Sequence, residues 1–152
     1  MRTFFNQLFP GTIDNNYRGR KIALWLFSAL LLLKIVMSVN SIFNGYSVAR
    51  FADGIPLDTY PTAAAQTILS LWAVLGLSRF MLCLICLLAL IRYRSMVPLM
   101  FALLLVEQLS RYLILERIPI IRTGSPPAGY INLILLALMI AGLPLSLWRR
   151  RP

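Results

Sequence analysis

Four long apolar stretches constrain the fold of this chain more than any other feature. They cover residues of about 22–42, 66–91, 96–115 and 130–148. Each is close to the roughly 20 residues that an α-helix needs to cross the hydrocarbon core of a bilayer. A backbone in lipid must satisfy its own hydrogen bonds, and the chain shows no alternating barrel pattern. The sequence therefore predicts an all-α membrane protein, folded as an antiparallel four-helix transmembrane bundle.

The composition indicates a surface made for lipid rather than for water. Of the 152 residues, 59% are hydrophobic and 13% are charged, whereas soluble domains carry roughly 25% charged residues. We expect a single transmembrane domain over 22–148, a cytoplasmic leader at 1–21 and a basic cytoplasmic tail at 149–152. Part of the leader, residues 4–9, suits a short interfacial helix. A signal peptide is disfavoured, because Lys34 interrupts the first apolar stretch.

Basic residues are distributed unequally between the two sides of the predicted spans. One side holds Arg2, Arg18, Arg20, Lys21, Arg92, Arg94, Arg149, Arg150 and Arg151, and the other holds Arg50, Arg117 and Arg122. Because short cytoplasmic loops are enriched in Lys and Arg, both termini and the turn at 92–95 are expected to be cytoplasmic. The net charge of +10 then reflects topology and attraction to anionic lipids on the cytoplasmic face, not nucleic-acid binding. The expected location is the bacterial inner membrane.

Four ionisable residues lie within the predicted spans, where charge is costly and generally serves a function. They are Lys34, Arg79, Glu107 and Arg111. Arg79 lies 14 residues before Tyr93 and Glu107 lies 14 residues after it, so the two are predicted to pair at the same depth. Glu107 is also within reach of Arg111, one helical turn later. Lys34 is nearer the outer end of its span, which leaves partial snorkelling open to it.

This cluster of charges has three interpretations. A buried Arg79–Glu107 pair would fix the register of two helices. Alternatively, because three cations share one anion, an excess of +2 would attract a phosphate, a carboxylate, a lipid headgroup or an acidic residue of a partner. A proton relay through Glu107 is disfavoured, since neighbouring arginines would hold its carboxylate ionised.

Spacing along the spans predicts which faces pack. One face of the second span has heptad-like spacing, which suits close helix packing, and Arg79 on this face is expected to face the third span. The residues of this face are Trp72, Gly76, Arg79, Cys83 and Cys86. The predicted face of the third span is Met100, Leu103, Glu107, Ser110, Arg111 and Ile114. The fourth span carries no ionisable residue between Asn132 and Ser146. We therefore expect it to form a packing or lipid-facing wall.

Other candidate features favour structural roles. The absence of histidine excludes histidine-based metal sites and the commonest general base. Cys83 and Cys86 have a redox-like spacing, but they lie inside an apolar helix and are expected to serve packing. Asp53 is expected to form a turn with Gly54, and Asp58 to cap a helix. The outer loop at 55–57 is expected to dip into the interface or to cover the bundle. No metal, cofactor or catalytic residue is predicted.

Three classes of function follow. The first is a non-catalytic accessory or scaffold protein, acting as a homo-oligomer or with a membrane-protein partner. The second is an oligomeric transporter or channel for a small anion, built around Lys34, Arg79 and Arg111. The third is a quinone-linked oxidoreductase, disfavoured because four-span proteins that pass disulfide electrons to quinones carry cysteines at the outer face. In span number and size the chain resembles small bacterial four-span families such as the DoxX-like proteins.

Overall fold

The computed structural model describes residues 8–9 and 11–148. Within them the chain forms four long helices: α1 (Lys21–Phe43), α2 (Thr62–Arg92), α3 (Val97–Arg117) and α4 (Pro127–Leu147). The described residues contain no strand. All four helices are long and apolar enough to cross a membrane. The prediction of an all-helical, multi-pass integral membrane protein is confirmed to this extent.

Prolines or alanines occur at the beginnings of α2, α3 and α4. Pro61 and Pro126 stand immediately before α2 and α4, and Pro98 lies in the first turn of α3, where a missing N–H leaves no bond unmade. α2 starts at Thr62 rather than near residue 66, because alanines, the strongest helix formers, occupy positions 63–65. At 31 residues it is about 46 Å long, so it extends well beyond a hydrocarbon core of about 30 Å.

Most of each helix surface faces outward. In the apolar stretch of each helix, only 22% to 33% of the residues are buried inside the protein. The outward side chains are large and apolar, as shown by Trp25 at 77% and Phe43 at 79% exposure. Such a surface is stable against lipid, whereas soluble proteins avoid apolar patches of this extent.

The helices pack most closely in the pairs α1–α2 and α3–α4, rather than in the α2–α3 hairpin. At Gly76 of α2, an added Cβ would lie 2.9 Å from the Cβ of Ser41 in α1. At Gly142 of α4, it would lie 2.6 Å from the Phe101 ring of α3. The two pairs meet where the Phe27 ring of α1 lies 4.9 Å from the Phe101 ring. Small residues thus bring the backbones together, as they do in many membrane bundles.

The predicted packing face of α3 is wrong in part. The buried residues of this helix are Val97, Pro98, Met100, Phe101, Leu104 and Gln108. Leu103 is 42% exposed and Ile114 is 58% exposed, so both face outward. The expected face was centred on Glu107, but the helix instead turns Leu104 and Gln108 inward, and Glu107 lies at the border of the buried face. The reason is that α3 packs most closely against α4, which lies outside the α2–α3 hairpin.

The leader and the helix ends meet at one end of the bundle. The backbone N–H of Asp14 donates to Ser95 Oγ at 3.0 Å, and Ser95 Oγ donates to the Asp14 carbonyl at 2.9 Å. The Arg20 guanidinium lies 4.7 Å from the centroid of the Trp148 ring. The predicted interfacial helix at 4–9 falls mostly outside the described residues, and so does the basic tail at 149–152.

A loop closes the opposite end. It contains a π-helical turn at Val48–Ala52, after which Ile55 and Leu57 are buried at 4% and 3% exposure. These two residues pack beside Trp72 of α2 and Ile120 of the next loop. Gly54 has a φ of 73°, a conformation that favours glycine, and its carbonyl accepts the Thr123 N–H at 2.8 Å. The loop therefore covers the bundle, which was one of its two predicted roles.

Candidate functional site

Lys34 of α1 and Glu107 of α3 form the central ion pair. Lys34 Nζ lies 2.6 Å from Glu107 Oε2 and also donates to Gln108 Oε1 at 3.1 Å. Lys34 is only 8% exposed, so its ammonium points into the bundle and the snorkelling alternative is wrong. The physical reason is that a carboxylate and an amide oxygen lie within reach at its own depth. Sequence reasoning did not pair these residues because they lie on helices that are not neighbours in the chain.

Arg79 of α2 makes a second, looser contact with the same carboxylate. Its Nε lies 3.7 Å from Glu107 Oε1, which is an ion pair but too long for a hydrogen bond. The Arg79 side chain is also more exposed, at 28%, than the Lys34 side chain at 10%. Arg79 and Glu107 thus lie close together, as their equal distance from Tyr93 predicts, but Lys34 is the closer partner.

Arg111 has an uncharged partner. Its Nη2 donates to Asn132 Oδ1 of α4, and no ion pair joins it to Glu107 among the described residues. Gln108 Nε2 donates to the Asn132 backbone carbonyl and to Oδ1, both at 3.3 Å. The expectation that α4 is only a packing or lipid-facing wall is therefore wrong. Two amides in apolar helices, Gln108 and Asn132, were the signal that sequence reasoning left unused.

Asp53 brings a second carboxylate to the cluster. It follows the π-helical turn and lines the same cavity as Arg79 and Arg111. Burial raises its pKa above the ordinary value for aspartate, and the positive charges of Arg111, Arg122 and Arg79 oppose that shift. It lies directly before Gly54, whose φ is 73°, and its position also reduces the excess positive charge. Lys34, Arg79 and Arg111 face Glu107 and Asp53, so the net charge is +1 rather than +2 when both acids are ionised.

Asp58 is the other acid of this loop, and its predicted role as a helix cap is wrong. Its Oδ2 lies 2.7 Å from Arg50 Nη2, and α2 has Pro61 at its cap position with no side-chain hydrogen bond. Both partners are exposed, so the pair is expected to contribute little to stability.

A cavity of about 260 Å³, here called the inner cavity, lies among these charges. Its polar lining includes Lys34, Ser38, Asp53, Arg79, Glu107 and Arg111. Trp72 also lines it, and Trp72 Nε1 is buried with no hydrogen-bond acceptor among the described residues. A buried donor without an acceptor is costly. The cavity is therefore lined by a hydrogen-bond donor that has no acceptor, and the charges of its lining side chains sum to a positive value.

A second cavity of about 510 Å³, here called the lateral cavity, lies between α3 and α4. Arg122, Tyr112 and Tyr130 are among the residues that line it. Three residues line both cavities: Gln108, Arg111 and Asn132. The hydrogen-bonded group that these three form is thus the partition between the two spaces.

The two cysteines are free and buried, with exposures of 1% for Cys83 and 0% for Cys86. Both belong to the main apolar core, together with Phe27 and Phe101. Cys83 also borders the inner cavity. Their burial supports the predicted packing role.

The chain matches no known protein family, no curated protein and no solved structure. No residue role is therefore taken over from another protein. Among the residues of known placement, no group of three or more His, Cys, Asp and Glu side chains is arranged to hold a metal ion. What the inner cavity offers is ammonium, guanidinium and indole N–H donors, and this is the chemistry of anion binding.

The Lys34–Glu107 contact can be tested by unfolding the purified protein in detergent. Lys34→Met and Glu107→Gln are each expected to lower the free energy of unfolding by about 3–5 kcal/mol, since each leaves a buried charge without its nearest partner. The double variant is expected to lose less than the sum of the two. Arg79→Met serves as the matched comparison, and its longer contact predicts a smaller loss. A larger loss for Arg79→Met than for Lys34→Met would contradict the assignment of Lys34 as the principal partner.

Proposed function

We propose that this protein binds the acidic group of a small ligand, a carboxylate, phosphate or sulfonate, within its transmembrane bundle. One observation carries the proposal: three cationic side chains line an inner cavity of about 260 Å³, and within the described part of the chain only Lys34 of the three has a carboxylate within hydrogen-bond distance. Arg79 is 3.7 Å from Glu107, and Arg111 has an amide as its partner. An arriving anion would thus find two guanidinium groups whose hydrogen-bonding capacity is incompletely used.

Energetics support an anion rather than a neutral ligand. A cation within a bilayer is unfavourable by roughly 2.5–3.5 kcal/mol even on insertion scales. An anion in the cavity would offset that cost for Arg79 and Arg111 at once. The planar guanidinium suits carboxylate, sulfonate and phosphate groups, because it presents several N–H donors in a fixed geometry. Trp72 Nε1, which is buried without an acceptor, would add one more donor.

A non-catalytic accessory or scaffold role is the second candidate. It is favoured by the 2.6 Å contact between Lys34 and Glu107, which holds α1 against α3 whether or not a ligand is present. An oligomeric anion transporter would bind the anion and also move it across the membrane. A single four-helix unit would need to self-assemble to form a pore. The quinone-linked alternative has no specific observation in its favour, since Cys83 and Cys86 are buried.

We also propose that both termini face the cytoplasm of a bacterial cell, in an antiparallel arrangement of the four helices. The excess of Lys and Arg beside the leader, the 92–95 turn and the C-terminus supports this orientation. A groove lined by Arg18, Lys21 and Arg94 beside Trp25 would then meet anionic lipids of the cytoplasmic leaflet. A reporter that works only in the cytoplasm is expected to be active when it is fused after the C-terminus. Activity of a second reporter that works only on the outer side, fused at the same position, would contradict the orientation.

Anion binding can be tested by calorimetry on the protein in nanodiscs of zwitterionic lipid. The probes are inorganic phosphate, hexanesulfonate and dodecanesulfonate. Arg79→Gln and Arg111→Gln are each expected to weaken binding of those probes that bind the parent by about 10- to 100-fold, because a hydrogen bond to a charged group contributes about 1.5–3 kcal/mol. Arg117→Gln is the matched control, since Arg117 is exposed at the end of α3. The proposal fails if no probe binds, or if all three variants bind as the parent does.

The raised pKa of Asp53 predicts that binding depends on pH. Ionised Asp53 repels an anionic ligand, and its proton is taken up as the pH falls through a pKa that burial has raised. Affinity for an alkyl sulfonate, which stays ionised, is therefore expected to increase by about tenfold on acidification from neutral pH, equivalent to 1.4 kcal/mol. The free energy of unfolding is expected to depend on pH in the same direction. The contribution linked to Asp53 is present at low pH and is lost as the pH rises through the raised pKa.

The control for this pH dependence is Asp53→Asn, which keeps the shape of the side chain but cannot ionise. The facing groups Lys34, Arg79, Glu107, Arg111 and Arg122 are retained in the variant, so any titration among them would appear in both proteins. A pH profile that is unchanged by Asp53→Asn would assign the dependence to another group.

A further inference from the structure

The lateral cavity adds an apolar surface to the charged site. Beyond the three residues shared with the inner cavity, its apolar lining includes Leu115, Pro119, Ile120, Tyr130, Leu133 and Leu136. Tyr130 is 66% exposed and Leu133 is 50% exposed, so this surface continues onto the outward, lipid-facing side of α4. The volume of about 510 Å³ falls within the 300–1,000 Å³ of typical small-molecule sites.

The same cavity is positively charged where it meets the partition. Arg111 and Arg122 line it together with a single acid, Glu116. Arg122 Nη1 lies 3.8 Å from the place where a Cβ would stand at Gly129, and Arg122 has no ion pair within 4.0 Å among the described residues. An apolar groove that is also lined by two cations is complementary to a molecule with a hydrocarbon tail and an acidic head.

From this arrangement we infer that the ligand is a single-chain amphiphile with an acidic head group. This inference rests on the proposed anion binding and names the class of molecule. The head group lies at Arg111 and reaches toward Arg79 in the inner cavity. The hydrocarbon tail lies between α3 and α4 in the lateral cavity, and the ligand enters from the bilayer rather than from water.

Two further observations favour lateral entry. At the loop-covered end, Ile55 and Leu57 are buried against Trp72 and Ile120, so a water-borne anion would have to displace a packed apolar cluster. In the partition, Arg111 is held by the neutral amide of Asn132. An acidic head group can replace this amide without leaving a buried carboxylate unpaired, and Gln108 still bonds the Asn132 backbone carbonyl.

The test compares the three probes already named and adds dodecanol, in nanodiscs that contain the full chain, with empty nanodiscs subtracted. Dodecanesulfonate is expected to bind at least tenfold more tightly than hexanesulfonate or inorganic phosphate, because only its tail fills the lateral cavity. Dodecanol has a tail of the same length without the charge, and it is expected to bind at least tenfold more weakly than dodecanesulfonate.

Two variants on α4 distinguish the effect of filling the lateral cavity from the general effect of adding a tryptophan to this helix. Leu133→Trp fills the lateral cavity and is expected to weaken dodecanesulfonate binding about tenfold. Leu138→Trp is the matched control, since Leu138 is 38% exposed on the same helix but does not line either cavity. Thermal unfolding of both variants verifies that each is folded to the same extent.

The outcomes distinguish the inference from the proposed function. If all three anions bind equally tightly and depend on Arg79 and Arg111, anion binding stands and the amphiphile inference is overturned. If dodecanol binds as tightly as dodecanesulfonate, the acidic head has no role in binding the amphiphile and the amphiphile inference is overturned, whereas anion binding is decided by the Arg79 and Arg111 variants with inorganic phosphate. Equal effects of Leu133→Trp and Leu138→Trp on dodecanesulfonate would also overturn the assignment of the tail to the α3–α4 groove.

Discussion

The contact between Lys34 and Glu107 organises the rest of this bundle. Each residue alone would be an unfavourable charge among apolar side chains, and at 2.6 Å each removes most of that cost from the other. The pair also joins α1 to α3, and these helices belong to different closely packed pairs, α1–α2 and α3–α4. Together with the contact between the Phe27 and Phe101 rings, this ion pair joins the two halves of the protein, in a region where apolar packing alone specifies position weakly.

The polar groups around this contact form a graded network. Lys34 is held by a carboxylate and an amide, Arg79 by a more distant carboxylate oxygen, and Arg111 by an amide alone. The hydrogen-bond partners thus change from a carboxylate at Lys34 to an uncharged amide at Arg111. That gradient gives the site its chemical character, because Arg111 lies in the partition between the inner and lateral cavities.

Small residues and one loop provide the geometry that the network needs. Gly76 and Gly142 bring neighbouring helices close at depths where a Cβ would collide with Ser41 or Phe101. The loop after α1 then folds over the bundle, so that Asp53 reaches the cavity while Ile55 and Leu57 exclude water from that end. Away from the close contact of Gly142 with Phe101, the lateral cavity between α3 and α4 forms the open flank of the site.

The sequence by itself determined the number and approximate bounds of the helices, because a span of apolar residues in lipid has few alternatives to a helix. It also determined that Arg79 and Glu107 lie at the same depth, since equal distances from one turn place residues level along two helices. Only the tertiary structure decided that Lys34 is the closer partner of Glu107, that Arg111 bonds Asn132, and that Asp53 lines the same cavity. These contacts join segments distant in the chain, and their geometry depends on how the helices rotate and approach one another, which small residues such as Gly76 control and which no local pattern encodes.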